Sequence, residues 1–481
     1  MEIKLSPILL AFSLVLAQGV TVPASASSFA PGYQGMLVAD ESGNVYAWGE
    51  NNRGILPVDQ VSADATFLPQ RVSFPNDEKI VQVANSGGQQ TFMAISESGE
   101  LWAWGSNGAR NPNGSPPNPN NALGLGTEAD MSSLPGFVAS FGENGKPAVT
   151  IPAKAKFFAG SQSLGAPTDA TIVDVGVASQ GRFTVALDSL GRVWFTGGAN
   201  GVMNAVELNI GNAQDDLREF EVLPGTDMNN TPDVDSKIVD IEVGGGSSDA
   251  FIIMLTELGT VYGIGEDDNY GVLAGAGPDS SLTGDSSSIR QISNPNSSLE
   301  RLKGSRMEVW FAFGSDDKLY GKGRNDLSFG GRFALGDEAL SADATVDVLT
   351  PLSVGIAGEH VVDIAVGDGA TMVLIDNLGN PYIWGSSSQS PSFQPFPTLA
   401  SQPSDFSADE KFVTATGGNN ATILSTSLGN VYTFGVSAND SGAVMLQGTD
   451  SGTADRAEFS KVDFSGTGAN FSIASGGEPT L

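Results

Sequence analysis

Gly43-Asn-Val-Tyr-Ala-Trp-Gly49 opens a series of seven copies of one short phrase in this chain of 481 residues. Every copy has an aromatic residue at the fourth position and a glycine at the seventh. The fourth-position aromatics are Tyr46, Trp102, Trp194, Tyr262, Tyr320, Tyr382 and Tyr432. Recurrence at a single register is the signature of a repeat protein. We interpret these aromatics as structural residues that pack between neighbouring units, not as a ligand site.

The residues around each copy have the pattern of β-strands. An apolar run such as Phe92-Met-Ala-Ile95 precedes the phrase and predicts the first half of a tight β-hairpin. Further upstream, segments such as Ile172-Val-Asp-Val175 alternate with a period of two, which indicates a strand with one buried face. The repeats measure about 50–65 residues, which suits a four-stranded blade with its loops. The sequence therefore predicts an all-β protein, a seven-bladed β-propeller of mostly four-stranded antiparallel blades.

Residues 1–26 have the pattern of a secretory signal peptide. Lys4 provides a basic start, Ile8–Ala17 an apolar core, and Ala24-Ser-Ala26 a cleavage site of small residues. The alternative is an uncleaved anchor, although the apolar stretch is short for a membrane span. We expect an exported protein, extracellular or periplasmic, in which residues 27–481 form a single propeller domain without a membrane span.

The hairpin followed by Gly-x-Val-Tyr-x-Trp-Gly-x-Asn, at Gly43 to Asn51, resembles the repeat of the regulator of chromosome condensation family. Members of that family fold as seven-bladed β-propellers, and a secreted β-lactamase inhibitory protein among them grips a protein through loops on one face. The family's Gly-Gln-Leu-Gly segment survives only in fragments, as at Leu123-Gly-Leu-Gly126 and Ala334-Leu-Gly336. The resemblance thus implies the fold. It does not transfer the guanine-nucleotide exchange of the best-known member, which an exported acidic chain disfavours.

Composition restricts the partners and the chemistry. The chain has 23 basic and 55 acidic residues, a net charge of −32 and a pI near 4.1, which argues against nucleic-acid binding. It has no cysteine and one histidine, so transition-metal sites built from these residues are not expected. His360 stands directly before a predicted strand, and we interpret it as a loop residue that leads into a blade, not as a catalytic base. We therefore assign no catalytic, cofactor-binding or metal-ligating residue.

Two carboxylate chemistries stay open as alternatives. Aspartate and glutamate are abundant enough to supply a glycosidase pair, although the sequence does not show which two would face each other. The run Asp227–Asp235 is rich in oxygen ligands for calcium, but it lacks the glycine and the glutamate of the helix-loop-helix calcium pattern. We interpret this run as a polar loop between blades.

One repeat is much longer than the others. Its extra residues span about 106–170 and include the polar stretch Asn107–Asn121. Long loops on a rigid ring form binding surfaces, and a tolerated surface insertion is the alternative.

Closure of the ring is less plain in the sequence. The first repeat begins at Met36-Leu-Val-Ala39 without a recognisable upstream strand, so we expect Lys461-Val-Asp-Phe464 to complete the first blade. Phe471-Ser-Ile-Ala474 would then duplicate Met36–Ala39, which leaves a short extra strand or an incipient eighth blade open.

These observations favour an exported, non-enzymatic module that binds another protein or acts as a scaffold through the loops on its faces. An inhibitor-like or adhesin-like role would suit such a module, and no cofactor is expected. The alternative is a carboxylate-based propeller enzyme that acts on polysaccharide. A central pocket lined by aromatic and carboxylate side chains would favour the enzyme.

Overall fold

A computed structural model shows seven β-sheets, each built from consecutive strands and arranged as the blades of a propeller. The structure describes residues 28–471 except 33–34, 50–65, 86–90, 108–121, 142–145, 160–161, 165, 179–182, 198–216, 231, 245–250, 268–270, 276–285, 294–298, 304–307, 326–334, 342–344, 357–359, 367–371, 386–393, 419–420, 435–458, 466 and 470.

The strands of the first three blades are as follows. Blade 1 contains β1 (Ser28–Pro31), β2 (Gly35–Ala39), β3 (Val45–Gly49) and β4 (Thr66–Val72). Blade 2 contains β5 (Ile80–Asn85), β6 (Thr91–Ser96), β7 (Leu101–Ser106), β8 (Phe137–Phe141) and β9 (Lys146–Lys154), with helix α1 (Glu128–Ser132) between β7 and β8. The short strands β10 (Phe157–Ala159) and β11 (Gln162–Leu164) precede blade 3, which contains β12 (Ile172–Val177), β13 (Phe183–Asp188), β14 (Val193–Gly197) and β15 (Leu217–Val222).

The other four blades have four strands each. Blade 4 contains β16 (Ile238–Gly244), β17 (Phe251–Thr256), β18 (Val261–Gly265) and β19 (Ser286–Gln291). Blade 5 contains β20 (Leu299–Lys303), β21 (Val309–Gly314), β22 (Leu319–Arg324) and β23 (Thr345–Pro351). Blade 6 contains β24 (Val361–Ala365), β25 (Met372–Asp376), β26 (Pro381–Gly385) and β27 (Gln394–Leu399). Blade 7 contains β28 (Phe412–Gly417), β29 (Thr422–Thr426), β30 (Val431–Phe434) and β31 (Ser460–Lys461). The predicted fold class is confirmed: seven blades, mostly of four antiparallel strands.

The hairpin between the second and third strands of a blade is fixed by its own residues, as blade 1 shows. Asp40 Oδ1 accepts hydrogen bonds from the backbone N–H groups of Ser42 (3.0 Å) and Asn44 (2.8 Å). Gly43 has a φ of 80°, and a Cβ atom at this position would lie 2.7 Å from Lys79 Cβ. Both the left-handed backbone and the contact with the next blade therefore require glycine.

The apolar core is divided into seven clusters, and each cluster joins two neighbouring blades. Trp102 of blade 2 packs with Leu37 and Val45 of blade 1, and Tyr432 of blade 7 packs with Val373 of blade 6. Five of the seven repeat aromatics are buried, while two are half-buried; the half-buried pair is Tyr320 and Tyr382. Blades 1, 2, 3, 4 and 7 thus each bury a large aromatic side chain at the same register.

The ring does not close as the sequence predicts. The upstream strand of blade 1 is β1, which pairs with β2 and directly follows the predicted signal peptide. Lys461 pairs with Tyr432 in β31, the outer strand of blade 7, so the assignment of Lys461–Phe464 to blade 1 is wrong. Phe464 and Phe471 instead pack into the cluster that joins blades 7 and 1. Residues 472–474 lie outside the described part of the chain, whose strands form seven blades and no eighth.

Much of the predicted insertion at 106–170 is β-structure. The hairpin of β8 and β9 supplies the fourth strand of blade 2 and adds a fifth, whereas β10 pairs in parallel with β15 of blade 3. The rings of Phe157 and Phe220 stack at 5.0 Å across this pairing. The insertion therefore connects blades 2 and 3, while residues 108–121 lie outside the described residues.

No helix in the described part of the chain is long and apolar enough to cross a membrane. The predicted signal peptide, residues 1–26, falls outside that part.

Candidate functional site

The first strands of the seven blades enclose a cavity of about 390 Å³ on the axis of the ring. Every blade contributes to its wall, and Phe29 is the only aromatic residue among the described residues that line it. Charged side chains enter the wall from blades 3, 4 and 5. The cavity is therefore polar on one side of the ring and lacks an aromatic platform.

A belt of polar side chains surrounds this cavity. In blades 2 to 7 the pairing of the first and second strands slips after the first residue of the inner strand, and a polar residue follows the slip. Such a bulge redirects a side chain out of the regular alternation. The belt consists of Gln82, Asp174, Asp240, Arg301, Asp363 and Thr414.

Most side chains of the belt make a hydrogen bond to the next blade. Gln82 Nε2 donates to Asp174 Oδ1 at 2.6 Å, from blade 2 to blade 3. Asp240 Oδ2 accepts from the N–H of Leu302 at 2.7 Å, between blades 4 and 5. Arg301 Nη1 donates to Asp363 Oδ1 at 3.1 Å, between blades 5 and 6.

The other belt residues extend the same pattern. Asp363 Oδ2 accepts from the N–H of Ala415 at 2.9 Å, between blades 6 and 7. Thr414 bonds within its own blade to Ser425. In blade 1, Ser28 Oγ accepts from the N–H of Val83 in blade 2 at 3.1 Å. Apart from Thr414, these polar groups join neighbouring blades, which makes the belt a structural element of the ring.

The electrostatics of the belt differ between blades 3 and 4 and the neighbouring blades 5 and 6. Loss of hydration within the cavity raises the pKa of Asp174 above 3.8, although hydrogen bonds from Gln82 and the backbone oppose the shift. The same loss of hydration raises the pKa of Asp240 further, and the nearby charges of Asp174 and Glu242 add to the effect. In the neighbouring blades 5 and 6, Asp363 is paired with Arg301 and with Lys303, whose Nζ lies 3.3 Å from Oδ1. The charge of Arg301 also opposes the rise in the pKa of Asp240. Burial thus shifts the carboxyl groups of Asp174 and Asp240 toward the protonated form relative to a hydrated aspartate.

The structure also places the other residues that the sequence analysis considered. His360 is exposed directly before β24, and its carbonyl oxygen accepts from the N–H of Asn377 at 3.0 Å. In the run Asp227–Asp235, Asp235 Oδ2 accepts from Thr260 Oγ1 at 2.6 Å, so this run is tied to a hairpin of blade 4. The described residues contain no group of three or more His, Cys, Asp or Glu side chains that could hold a metal ion.

An asparagine two residues after the closing glycine of a phrase has a role that sequence reasoning missed. The Oδ1 atom of Asn107 accepts from the N–H of Leu123 at 3.2 Å, and that of Asn325 accepts from Leu335 at 3.1 Å. These side chains hold the surviving fragments of the Gly-Gln-Leu-Gly segment against the third strand. The Gly-x-Asn spacing was the available signal.

The ring has two different faces because neighbouring strands in each blade are antiparallel. The connections between the first and second strands, and between the third and fourth, leave one end of the blades, which we call the loop face. The short hairpins between the second and third strands lie at the other end, which we call the turn face. Residues 108–121 begin and end on the loop face, where Thr184 Oγ1 donates to the carbonyl oxygen of Ala122 at 2.7 Å. The loop face therefore has the longest connections, whereas the turn face has the short hairpins and the connections from each blade to the next.

Comparison with known proteins agrees with this architecture. Residues 42–94 match the family model "Regulator of chromosome condensation (RCC1) repeat". The structure of human WBSCR16 is similar with a TM-score of 0.60 at 15% identity, covering 88% of this chain and 95% of that one. Yeast RCC1 (Prp20) bound to Kap60 has a TM-score of 0.57 at 17% identity, covering 88% of this chain and 84% of that one.

Prp20p from Saccharomyces cerevisiae, whose structure was reported with its binding to Gsp1p and histones, gives 0.56 at 17% identity, covering 85% of this chain and 83% of that one. By fold the protein is a seven-bladed β-propeller. The family model matches one repeat, residues 42–94, and there it confirms the resemblance found in the sequence.

Proposed function

We propose that this chain is an exported protein-binding module that holds its partner on the loop face of a rigid ring. The observation that carries this proposal is the concentration of long connections on that face, above a scaffold in which every blade is packed against its neighbours. Long loops on a rigid support are the common arrangement of protein-binding surfaces. Export rests on the signal-peptide pattern of residues 1–26, and an inhibitor-like or adhesin-like role would be a special case.

The base of the long insertion is well anchored, which supports a presenting role for the residues it carries. The N–H of Lys156 donates to the carbonyl oxygen of Gly124, and the N–H of Phe220 donates to that of Lys156, both at 2.8 Å. These bonds tie the insertion to blade 3. A loop held at a fixed base loses less conformational freedom when it binds than an unanchored one does.

The cavity gives less support to the alternative of a carboxylate-based enzyme. Asp240 and Asp363 already accept hydrogen bonds from the backbone of the next blade, and Phe29 is the one aromatic in the described lining. The similar propellers also favour a protein partner, since yeast RCC1 was solved bound to Kap60. We extend to this chain only the class of partner, another protein.

A deletion on the loop face tests the proposal. Residues 108–121 are replaced by a short Gly-Ser linker, while Asn107 and Ala122 are kept because Asn107 Oδ1 bonds to Leu123. The ring should stay folded with a nearly unchanged thermal midpoint, because each doubling of loop length changes the closure cost by only about 0.6 kcal/mol. Capture of a partner from the native secretome, followed by binding of that purified partner, should be lost.

A variant altered on the turn face serves as the matched control. Glu97→Ser and Glu257→Ser change exposed hairpin residues and should leave capture unchanged. If the deletion and the control capture the partner equally well, and shortening of the other loop-face connections also has no effect, the loop-face proposal is wrong. Export is checked separately: removal of residues 1–26 should retain the protein inside the cell.

A further inference from the structure

Four exposed leucines recur at one position of the turn face. They directly precede the turn glycine in blades 3, 4, 6 and 7, where blades 1, 2 and 5 have Ser42, Ser98 and Asp316. The exposed fractions are 40% for Leu190, 62% for Leu258, 48% for Leu378 and 57% for Leu428.

The hairpin itself does not need leucine at this position. In blade 3 the N–H of Leu190 donates to Asp188 Oδ1 at 3.0 Å, and in blade 6 the N–H of Leu378 donates to Asp376 Oδ1 at the same distance. Only the backbone takes part in these bonds, and turns of this kind favour small polar residues. A single exposed leucine needs no explanation, but four at one register of one face call for a reason outside the fold.

The leucines form two patches, one on each pair of adjacent blades. The turn of Leu190 lies against Lys237, since a Cβ atom on Gly191 would be 2.6 Å from Lys237 Cγ. The turn of Leu258 contacts the same residue, because the N–H of Glu257 donates to the carbonyl oxygen of Lys237 at 2.9 Å. Val239, two residues further on, is 45% exposed. Leu190, Leu258 and Val239 therefore make up the blade 3–4 patch.

The blade 6–7 patch repeats this arrangement. A Cβ atom on Gly379 would lie 2.5 Å from Lys411 Cβ, and the N–H of Ser427 donates to the carbonyl oxygen of Lys411 at 2.8 Å. Leu378 and Leu428 thus stand on either side of Lys411. The apolar stems of Lys237 and Lys411 extend the two patches between their leucines.

The charge around the patches selects the kind of partner. Exposed carboxylates dominate the turn face, among them Glu97, Asp235, Glu257, Asp317 and Asp409. The net charge of −32 disfavours a second copy of the chain and an anionic lipid surface on this face. A cationic partner with apolar side chains would match both the carboxylates and the leucines.

We propose that the turn face docks a basic, amphipathic polypeptide segment whose apolar side chains contact the two leucine patches. This surface is opposite the loop face and separate from the function proposed above. Deletion of residues 108–121 should therefore leave it intact, which keeps the two proposals distinguishable.

The test uses two synthetic helical peptides of about 18 residues, a length that presents an apolar stripe over several turns. The first contains leucine and lysine in amphipathic order, and the second has serine in place of every leucine at the same charge. The proteins are the wild type, a variant with Leu190→Ser, Leu258→Ser, Leu378→Ser and Leu428→Ser, and a control with Val348→Thr. The control changes an apolar side chain that is 72% exposed in the middle of an outer strand, outside the two leucine patches.

The leucine-containing peptide should bind the wild type, and the four-leucine variant should lose at least about tenfold in affinity, because each contacted leucine buries apolar area. The control should stay within about twofold of the wild type, as most exposed residues outside a contact do. The serine peptide should bind all three proteins equally and more weakly. All three should keep the same thermal midpoint, since the substituted side chains are exposed.

Equal binding of the leucine-containing peptide to the wild type and the four-leucine variant would overturn the proposal. So would a leucine-dependent association of the wild type with itself, measured by sedimentation, or with anionic phosphatidylglycerol vesicles in preference to the peptide. Two further variants alter one patch each: Leu190→Ser with Leu258→Ser, and Leu378→Ser with Leu428→Ser. Each should lose part of the affinity for the leucine-containing peptide. Complete loss of affinity in one of them alone would restrict the site to that patch and contradict a contact with both patches.

Discussion

Two boundaries between blades solve the same packing problem with opposite chemistry. Where blade 1 meets blade 7, the sixth residue of the repeat phrase is Trp48, which is fully buried with its ring 5.9 Å from that of Phe464. Where blade 5 meets blade 4, the corresponding residue is Lys322, which is 1% exposed. Its Nζ donates to the carbonyl oxygens of Ala274 at 2.5 Å and Ile292 at 3.2 Å, both in blade 4.

The difference shows that one register of the repeat can hold the ring together by apolar area or by hydrogen bonds from a buried cation. Apolar burial does not depend on protonation. A buried ammonium group does, because its charge is disfavoured by the loss of hydration. Truncation of apolar side chains should therefore lower stability at the boundary of Trp48, whereas the stability contributed by the boundary of Lys322 should depend on pH.

The largest effect is expected from removal of the C-terminal tail at the apolar boundary. Truncation after Ser460 removes Val462, Phe464 and Phe471, which pack against blade 1. We expect a loss on the order of 5 kcal/mol in the free energy of unfolding, since several apolar side chains leave one cluster. Chemical denaturation measures it, and truncation after Ser475 is the control. An unchanged denaturation midpoint after the longer truncation would show that the tail does not hold the ring closed.

A smaller effect is expected from Trp48→Ala at the same boundary. The substitution leaves a cavity among Met36, Ile423 and Phe464 and should cost about 3 kcal/mol. Trp48→Phe keeps an aromatic ring there and should cost less than about 1.5 kcal/mol. If Trp48→Ala costs no more than Trp48→Phe, side-chain area at this register does not secure the boundary.

The sequence was sufficient to predict the blades because the residue patterns that identify a blade lie close together in the chain. The hairpin needs a turn glycine such as Gly43, an apolar strand before it and an aromatic after it, and all three are visible within a dozen residues. The way in which the ring closes could not be predicted from such local patterns. The strand β1, Ser28-Phe-Ala-Pro31, is short and has no alternating pattern, so only its pairing with β2 identifies it.

The belt shows why the candidate site could be predicted only in part. Asp174 was visible inside Ile172-Val-Asp-Val175, a segment read for its period of two. The slip in pairing after Ile172 redirects this side chain, and its partner Gln82 lies 92 residues away. Long-range partners and bulges of this kind leave no periodic signal in one sequence. The leucines before the turn glycines can also be found in the sequence, but only the folded structure shows that they are exposed and lie on adjacent blades.

The smallest predicted effect concerns the boundary of Lys322, where the free energy of unfolding should change with pH. Burial lowers the pKa of Lys322 from 10.5 to about 8, although Asp267 and Asp347 oppose the shift. Between these two pH values the unfolded chain binds more protons at this residue than the folded chain does. The free energy of unfolding should therefore rise with pH across this window.

The substitution Lys322→Met isolates this contribution, because methionine has similar length and no titratable group. The stability of the wild type minus that of the variant should increase by about 2 to 3 kcal/mol between about pH 7.5 and pH 10. The starting value of this difference also includes the two lost carbonyl bonds, so only its change with pH is diagnostic. Lys318→Met, at an exposed lysine in the hairpin four residues before Lys322, is the matched control and should show no such increase. A pH-independent difference for Lys322→Met would mean that Lys322 keeps its proton in the folded ring, and the two boundaries would then differ in geometry but not in their response to pH.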